Sequence, residues 1–312
     1  MPQTKTPLLT RGWALALGAL VCCMLWGSAF PGVKIGYRLL AIDSADWAGQ
    51  MVFAGTRFAI AGGMVIALGS VTARHFLYPK RHAIPKVAVL SMFQTVLQYF
   101  FYYIGLAHTT GVKAAVIVAA NVFFAILLSS CVFRLERMTV NKLAGCLIGF
   151  LGVVTVHLGA LGGPLNLLGD GFILLCTAAS GFSSVFMKRY SAAESPMMLS
   201  GWQFLAGGAV MALFGLLCGG RLPHLTPAGW GILVYLAFVS AAAYTLWSML
   251  LKFHPVSRVT VFGFLNPVCG VLLSALLLHE PGAFSLRTVC ALVLVSAGII
   301  LVNRTGGRPA QG

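Results

Sequence analysis

Acid is what this sequence has least of. Six of its 312 residues are Asp or Glu, and only 9% of the chain is charged. Soluble domains carry roughly 25% charged residues. So little polar material cannot cover a soluble surface of this size. No hydrophilic stretch is long enough to form a separate soluble domain. The acids are Asp43, Asp46, Glu136, Asp170, Glu194 and Glu280, and each falls in a loop or at the end of an apolar run. A proton relay through a carboxylate in mid-membrane is therefore not expected, although His157 or a movement of Glu136 could still serve.

Enzyme signatures are missing as well. There is no nucleotide-binding glycine loop, no metalloprotease histidine pair and no nucleophile elbow. A membrane enzyme acting on lipid would need a charged catalytic cluster near the interface, and the sparse acids argue against one. The histidines lack metal-ligand spacing, so neither a metal nor a cofactor is expected. The eight cysteines all lie inside apolar runs, where they read as small hydrophobes rather than as a disulfide framework.

What the chain does have is apolar length. It is 59% hydrophobic, with a mean hydropathy of +0.92. The fold class is an all-α integral membrane protein with the lipid bilayer as its solvent. Ten runs approach the ~20 residues that a bilayer demands. They cover 12–33, 49–71, 87–107, 113–133, 140–160, 168–187, 197–218, 228–250, 258–278 and 285–302.

The net charge of +15 does not indicate a nucleic-acid partner, because the basic residues are scattered through short loops. Fifteen of the 21 Lys and Arg residues fall on the side of the N-terminus, five on the other side, and Arg57 within a span. The positive-inside bias then predicts that both termini are cytoplasmic.

A repeat organises these runs. Thr110-Gly111-Val112-Lys113 opens an apolar run that leads to Glu136, and a second run follows. The same outline returns from His254-Pro255-Val256-Ser257-Arg258 to Glu280, 144 residues later. Ten spans divide into two sets of five, and an odd number per set inverts the second set in the membrane. The predicted domains are therefore a first five-helix repeat at 14–160, a linker at 161–167 and a second repeat at 168–303. Gly62-Gly63, Gly145, Gly149, Gly152, Gly201 and Gly207-Gly208 recur at spacings that let helix backbones approach in lipid.

Several motifs appear in a fixed order. They are Leu25-Trp26-Gly27-Ser28-Ala29-Phe30, Arg57-Phe58-Ala59, Gly105-Leu106-Ala107-His108-Thr109-Thr110, the runs ending at Glu136 and Glu280, and Asn266-Pro267. Together they resemble the EamA-like branch of the drug/metabolite transporter superfamily, over about residues 14 to 303. The resemblance implies a ten-helix carrier of the bacterial inner membrane. It also implies that the substrate is a small molecule, an amino acid or related metabolite, and that the direction is outward. Where the family's fourth span carries a proline, this chain has Phe123. Pro267 is therefore the hinge candidate, and a single hinge would lie in the ninth span.

Polar and aromatic side chains inside the spans form the candidate substrate cavity: Trp26, Arg57, Gln98, Tyr102, Asn121, Tyr244, Trp247 and Asn266. A guanidinium in mid-span needs an acceptor, an anionic solute or water, so Arg57 is expected either to attract a carboxylate or to brace helices through backbone carbonyls. Gln94, Gln98 and Tyr102 share one face of the third span, and Tyr244, Trp247 and Ser248 share one face of the eighth. Aromatic surface with a few amides suits an amphipathic solute of amino-acid size. Sugar phosphates or nucleotide sugars are the rival solutes, and a channel is the rival mechanism. The sequence leaves a homo-oligomer open. Glu136 is expected to cap or brace helix ends beside Arg134 or Arg137.

Overall fold

The computed structural model describes residues 8–43, 45–109, 111–156, 166–221, 226–278 and 286–304. Every regular element among them is helical. In chain order the rods are α1 (Gly12–Leu39), α2 (Trp47–Ala73), α3 (Arg81–Leu106), α4 (Lys113–Val132) and α5 (Val140–Val156). The second half supplies α6 (Leu167–Tyr190), α7 (Pro196–Leu217), α8 (Pro227–Phe253), α9 (256–278) and α10 (Leu286–Arg304). Eight are long and apolar enough to cross a membrane. Of the other two, α5 has 17 residues, about 26 Å at helical rise, and α9 is interrupted. Glu280, His157 and linker residues 161–165 lie outside the described residues.

Local chemistry starts several rods. Ser195 and Thr226 each accept from a backbone N–H three residues on, with Pro196 and Pro227 at the first helical position. Asp46 does the same for Gly49 at 2.8 Å. The rods alternate in direction, and the end of the bundle where α1 begins is termed the near end. There His254 Nε2 meets the Leu9 carbonyl at 2.7 Å, and Arg258 donates to the Asn303 carbonyl at 3.0 Å.

Two glycine seams hold the halves together. On α2, a Cβ at Gly55 or Gly62 would overlap the backbone nitrogen of Ala212 or Leu205 on α7. Between α5 and α10, a Cβ at Gly298 would sit 2.7 Å from Gly149 N. Such contact trades side chains for close backbone approach, which is how helices associate in lipid. Gly63 takes no part, because a Cβ there meets open space. Under the repeat α2 corresponds to α7 and α5 to α10, so each seam joins a helix to its own counterpart.

Backbone interruptions fall at matching places. The helix of α4 stops at Ala119 and restarts at Asn121, with a turn at Ala120. In α9 a 3-10 segment, Val261–Phe264, separates Val256–Thr260 from Leu265–Leu278. Ala120 and Phe264 are 144 residues apart, the spacing of the repeat. Pro267 sits in the first turn after the α9 break, where its missing N–H explains the lost α-helical bond. The proline-based expectation of one interruption thus accounts for only half of the geometry. The α4 helix breaks without a proline.

Candidate functional site

The α2/α7 seam fixes the depth of Arg57. Gly55 lies against Gly208 and Ala212, and Gly62 against Gly201 and Leu205. Arg57 is therefore level with about Gly208, near the middle of α7. It is 6% exposed, and its Nε has no hydrogen-bond partner. Among the described residues no carboxylate pairs with it. Its guanidinium carbon lies 4.4 Å from the Phe58 ring centroid and 5.9 Å from that of Tyr99. Ring faces therefore stand in for the counter-ion.

From Arg57 the aromatic cluster runs across both halves. The Tyr99 ring meets Phe58 at 4.5 Å, and its hydroxyl lies 3.0 Å from that of Tyr244. Tyr244 stands edge-on to Trp26 at 4.9 Å, and Trp26 edge-on to Trp247 at 5.0 Å. Tyr102 joins through Tyr99 at 6.4 Å, and Gln98 approaches the Tyr244 hydroxyl. Six of the eight predicted residues are thus brought together: Trp26, Arg57, Gln98, Tyr102, Tyr244 and Trp247. Asn121 and Asn266 stand apart, at the α4 and α9 breaks. Asn266 Oδ1 is buried without a partner there, and Asn121 faces Gly263 of the α9 break.

The structure adds residues that the sequence reading left out of the site. Gln203 is fully buried. Its Oε1 accepts from Thr95 at 2.8 Å, while its Nε2 has no partner. Gln94 Oε1 and Thr245 Oγ1 are also buried and unpartnered. A short π-helical stretch of α3, Ser91–Leu97, shifts the register and turns this face toward α7. A buried polar atom without a partner costs about 1–3 kcal/mol. The unpartnered atoms of Trp26, Arg57, Gln94, Gln98, Gln203 and Thr245 therefore leave hydrogen-bonding capacity unused at the centre. By contrast, Ser183 and Ser184 return their hydroxyls to Ser180 of their own helix. A hollow beside α4 and α5, lined by Phe123, Ile126, Leu127, Met138, Leu143 and Cys146, offers no polar group.

The acids among the described residues lie away from this centre. At the near end Glu136 accepts from Ser129 Oγ at 2.6 Å, Lys142 Nζ at 2.7 Å and Ser257 N at 2.9 Å, and also from the Ser257 hydroxyl. Lys142, not Arg134 or Arg137, is its cation, which corrects the expected partner. Lys142 sits one turn into the run that follows, and it adds a bond to the Arg137 carbonyl. Burial opposes ionisation of Glu136, but the bonds from Lys142, Ser129 and Ser257 outweigh it and hold the carboxyl below its usual range. Glu194 is held low chiefly by the Lys86 hydrogen bond at 2.6 Å. At the far end Asp170 accepts from Thr109 at 2.5 Å and from Asn166 N at 3.0 Å, with Lys113 4.0 Å away.

Ten helices in two repeated halves, with a buried polar centre between them, define a membrane transporter. The chain belongs to the EamA-like transporter family, whose model matches residues 13–158 and again 167–304. An uncharacterized transporter of Archaeoglobus fulgidus is 30% identical over 290 residues, covering 89% of this chain and 95% of that protein. A "probable amino-acid metabolite efflux pump" of Salmonella typhimurium is 26% identical, covering 91% of this chain and 92% of that protein. An uncharacterized inner membrane transporter of Escherichia coli, YedA, is 27% identical over 80% of this chain and 78% of its own length. One crystal structure superposes with a TM-score of 0.77 at 18% identity, over 95% of this chain and 98% of the other. That likeness speaks for the fold.

Proposed function

We propose that this transporter exports a small organic metabolite, an amino acid or a related compound, by alternating access across a bacterial inner membrane. The observation that carries the reading is the buried guanidinium of Arg57 at mid-depth, its Nε without a hydrogen-bond partner, among rings and amides drawn from both halves. The efflux names of its relatives support the direction and the solute class. Repeats at 14–160 and 168–303 rock about the glycine seams, with Pro267 beside the α9 break as the hinge. The loop charges support a cytoplasmic location for both termini. A homo-oligomer fits this reading but is not required by it.

Sugar phosphates and nucleotide sugars fit less well, because their charge calls for several cations at the centre. Lys113 lies beside Asp170 at the far end and Arg258 beside Asn303 at the near end, which leaves Arg57 as the cation at mid-depth among the described residues. A test is counterflow in proteoliposomes loaded with neutral amino acids. The expected result is saturable exchange that Arg57→Gln abolishes at normal protein incorporation. Failure of every amino acid to exchange would overturn the solute class.

A further inference from the structure

The arrangement of charge around Arg57 sets a rule for which amino-acid-like solutes enter. That rule rests on the amino-acid reading above and narrows it. Unpartnered donors at the centre are Arg57 Nε, Trp26 Nε1 and Gln203 Nε2, and unpartnered acceptors are the amide oxygens of Gln94 and Gln98. Arg57, Gln94 and Gln203 are each more than nine-tenths buried. The acceptors are neutral and the guanidinium is charged. The acids described near the bundle ends are occupied there: Glu136 by Lys142, Glu194 by Lys86 and Asp170 by Thr109. Asp43 and Asp46 serve the loop before α2.

Aromatic clusters often attract cations. Here the faces of Phe58 and Tyr99 already hold a cation belonging to the protein. A second cation would lose its hydration, meet no carboxylate among the described residues and be repelled by Arg57 in a medium of low polarity. A carboxylate gains the guanidinium and leaves an ammonium on the same solute to the amide oxygens.

We infer that the site is a charge filter. It takes solutes that carry a carboxylate and have a net charge of zero or −1, and it rejects net cations, including basic amino acids, amino-acid amides and alkylamines. Arg57 is the residue that sets the selectivity, and the neutral amides of Gln94 and Gln98 complete it.

The test uses the full chain in proteoliposomes exchanging labelled leucine or labelled phenylalanine. Unlabelled competitors vary charge on one carbon skeleton: leucine, 4-methylpentanoate, leucinamide and isopentylamine, with lysine as a fifth. Leucine and 4-methylpentanoate are expected to compete. Leucinamide, isopentylamine and lysine are expected to be weaker by on the order of a hundredfold, as one like charge in a low dielectric implies. Arg57→Gln should narrow that gap to below about tenfold, read by binding-induced quenching of tryptophan fluorescence, whereas Arg57→Lys should keep it. Should Arg57→Gln fail to fold, the wild-type series decides alone. Competition by leucinamide within about tenfold of leucine would overturn the filter and leave the amino-acid reading standing. Exchange of neither label would overturn the amino-acid reading, and the filter with it.

Discussion

Replacing Glu136 by Gln keeps the shape of the side chain and removes the charge that answers Lys142. Both side chains are buried, at 8% and 7% exposure, so the change strands a buried ammonium. Breaking a buried pair from one side costs about 3–5 kcal/mol. Thermal unfolding of the purified Glu136→Gln protein should show that loss. The pH dependence has a definite sign. Because the folded carboxyl lies below its unfolded value of about 4.3, the pair's contribution is whole above that pH. It fades as pH falls through the lower folded value, so acidification should weaken the wild type more steeply than Glu136→Gln, in which only the other lowered carboxyls, Glu194 and Asp170, still titrate. Residues of this kind differ in how readily a sequence betrays them. Arg57 stands out, since a guanidinium in an apolar run demands a reason. Thr245 does not, because threonines in such helices usually return the hydroxyl to the carbonyl four residues back, as Thr56, Thr72, Thr155 and Thr260 do. That Thr245 fails to do so is visible only in three dimensions.

At the scale of the element, glycine separates the two kinds of helix contact. A Cβ on Gly208 would sit 2.5 Å from Ala59 N, with rigid backbone opposite, so Gly208→Val must pry α2 from α7. Overpacking costs about 1–3 kcal/mol, occasionally more. The expected outcome is lower melting temperature and lower folded yield in detergent. Gly63→Ala meets nothing within 4 Å and should be neutral or stabilising by up to about 1 kcal/mol, from helix propensity alone. Equal damage from both would count against the seam. The ten runs were legible because apolar length is a direct signal, and the small-residue spacing marked most of the seam. The α4 break was not legible. Ala120 is neither glycine nor proline, so no local breaker marks its turn. The π-helical stretch of α3 was hidden for the same reason, and with it the route by which Thr95 reaches Gln203.

For the whole molecule, the orientation can be checked with the protein's own chemistry. Cys218 is exposed where α7 ends, at the far end of the bundle. If both termini are cytoplasmic, a membrane-impermeant maleimide should label Cys218 in intact cells carrying Cys290→Ser, which removes the other exposed thiol near that end, and adding Cys218→Ser should abolish that signal. Labelling only after the membrane is opened would reverse the orientation. Loop charge carries the expectation of this orientation, and the order of motifs made the repeat readable. Neither could tell which helices of the two halves would touch. That answer came from the seams, and it carries a consequence about ancestry. Each seam pairs a helix with its own counterpart running the opposite way, so neither surface needs a partner of different sequence. A gene for one half, inserted into the bilayer in both directions at once, would rebuild α2 against α2 and α5 against α5. Fusion of two such copies would add permanence to an assembly that two separate, oppositely oriented chains could already make.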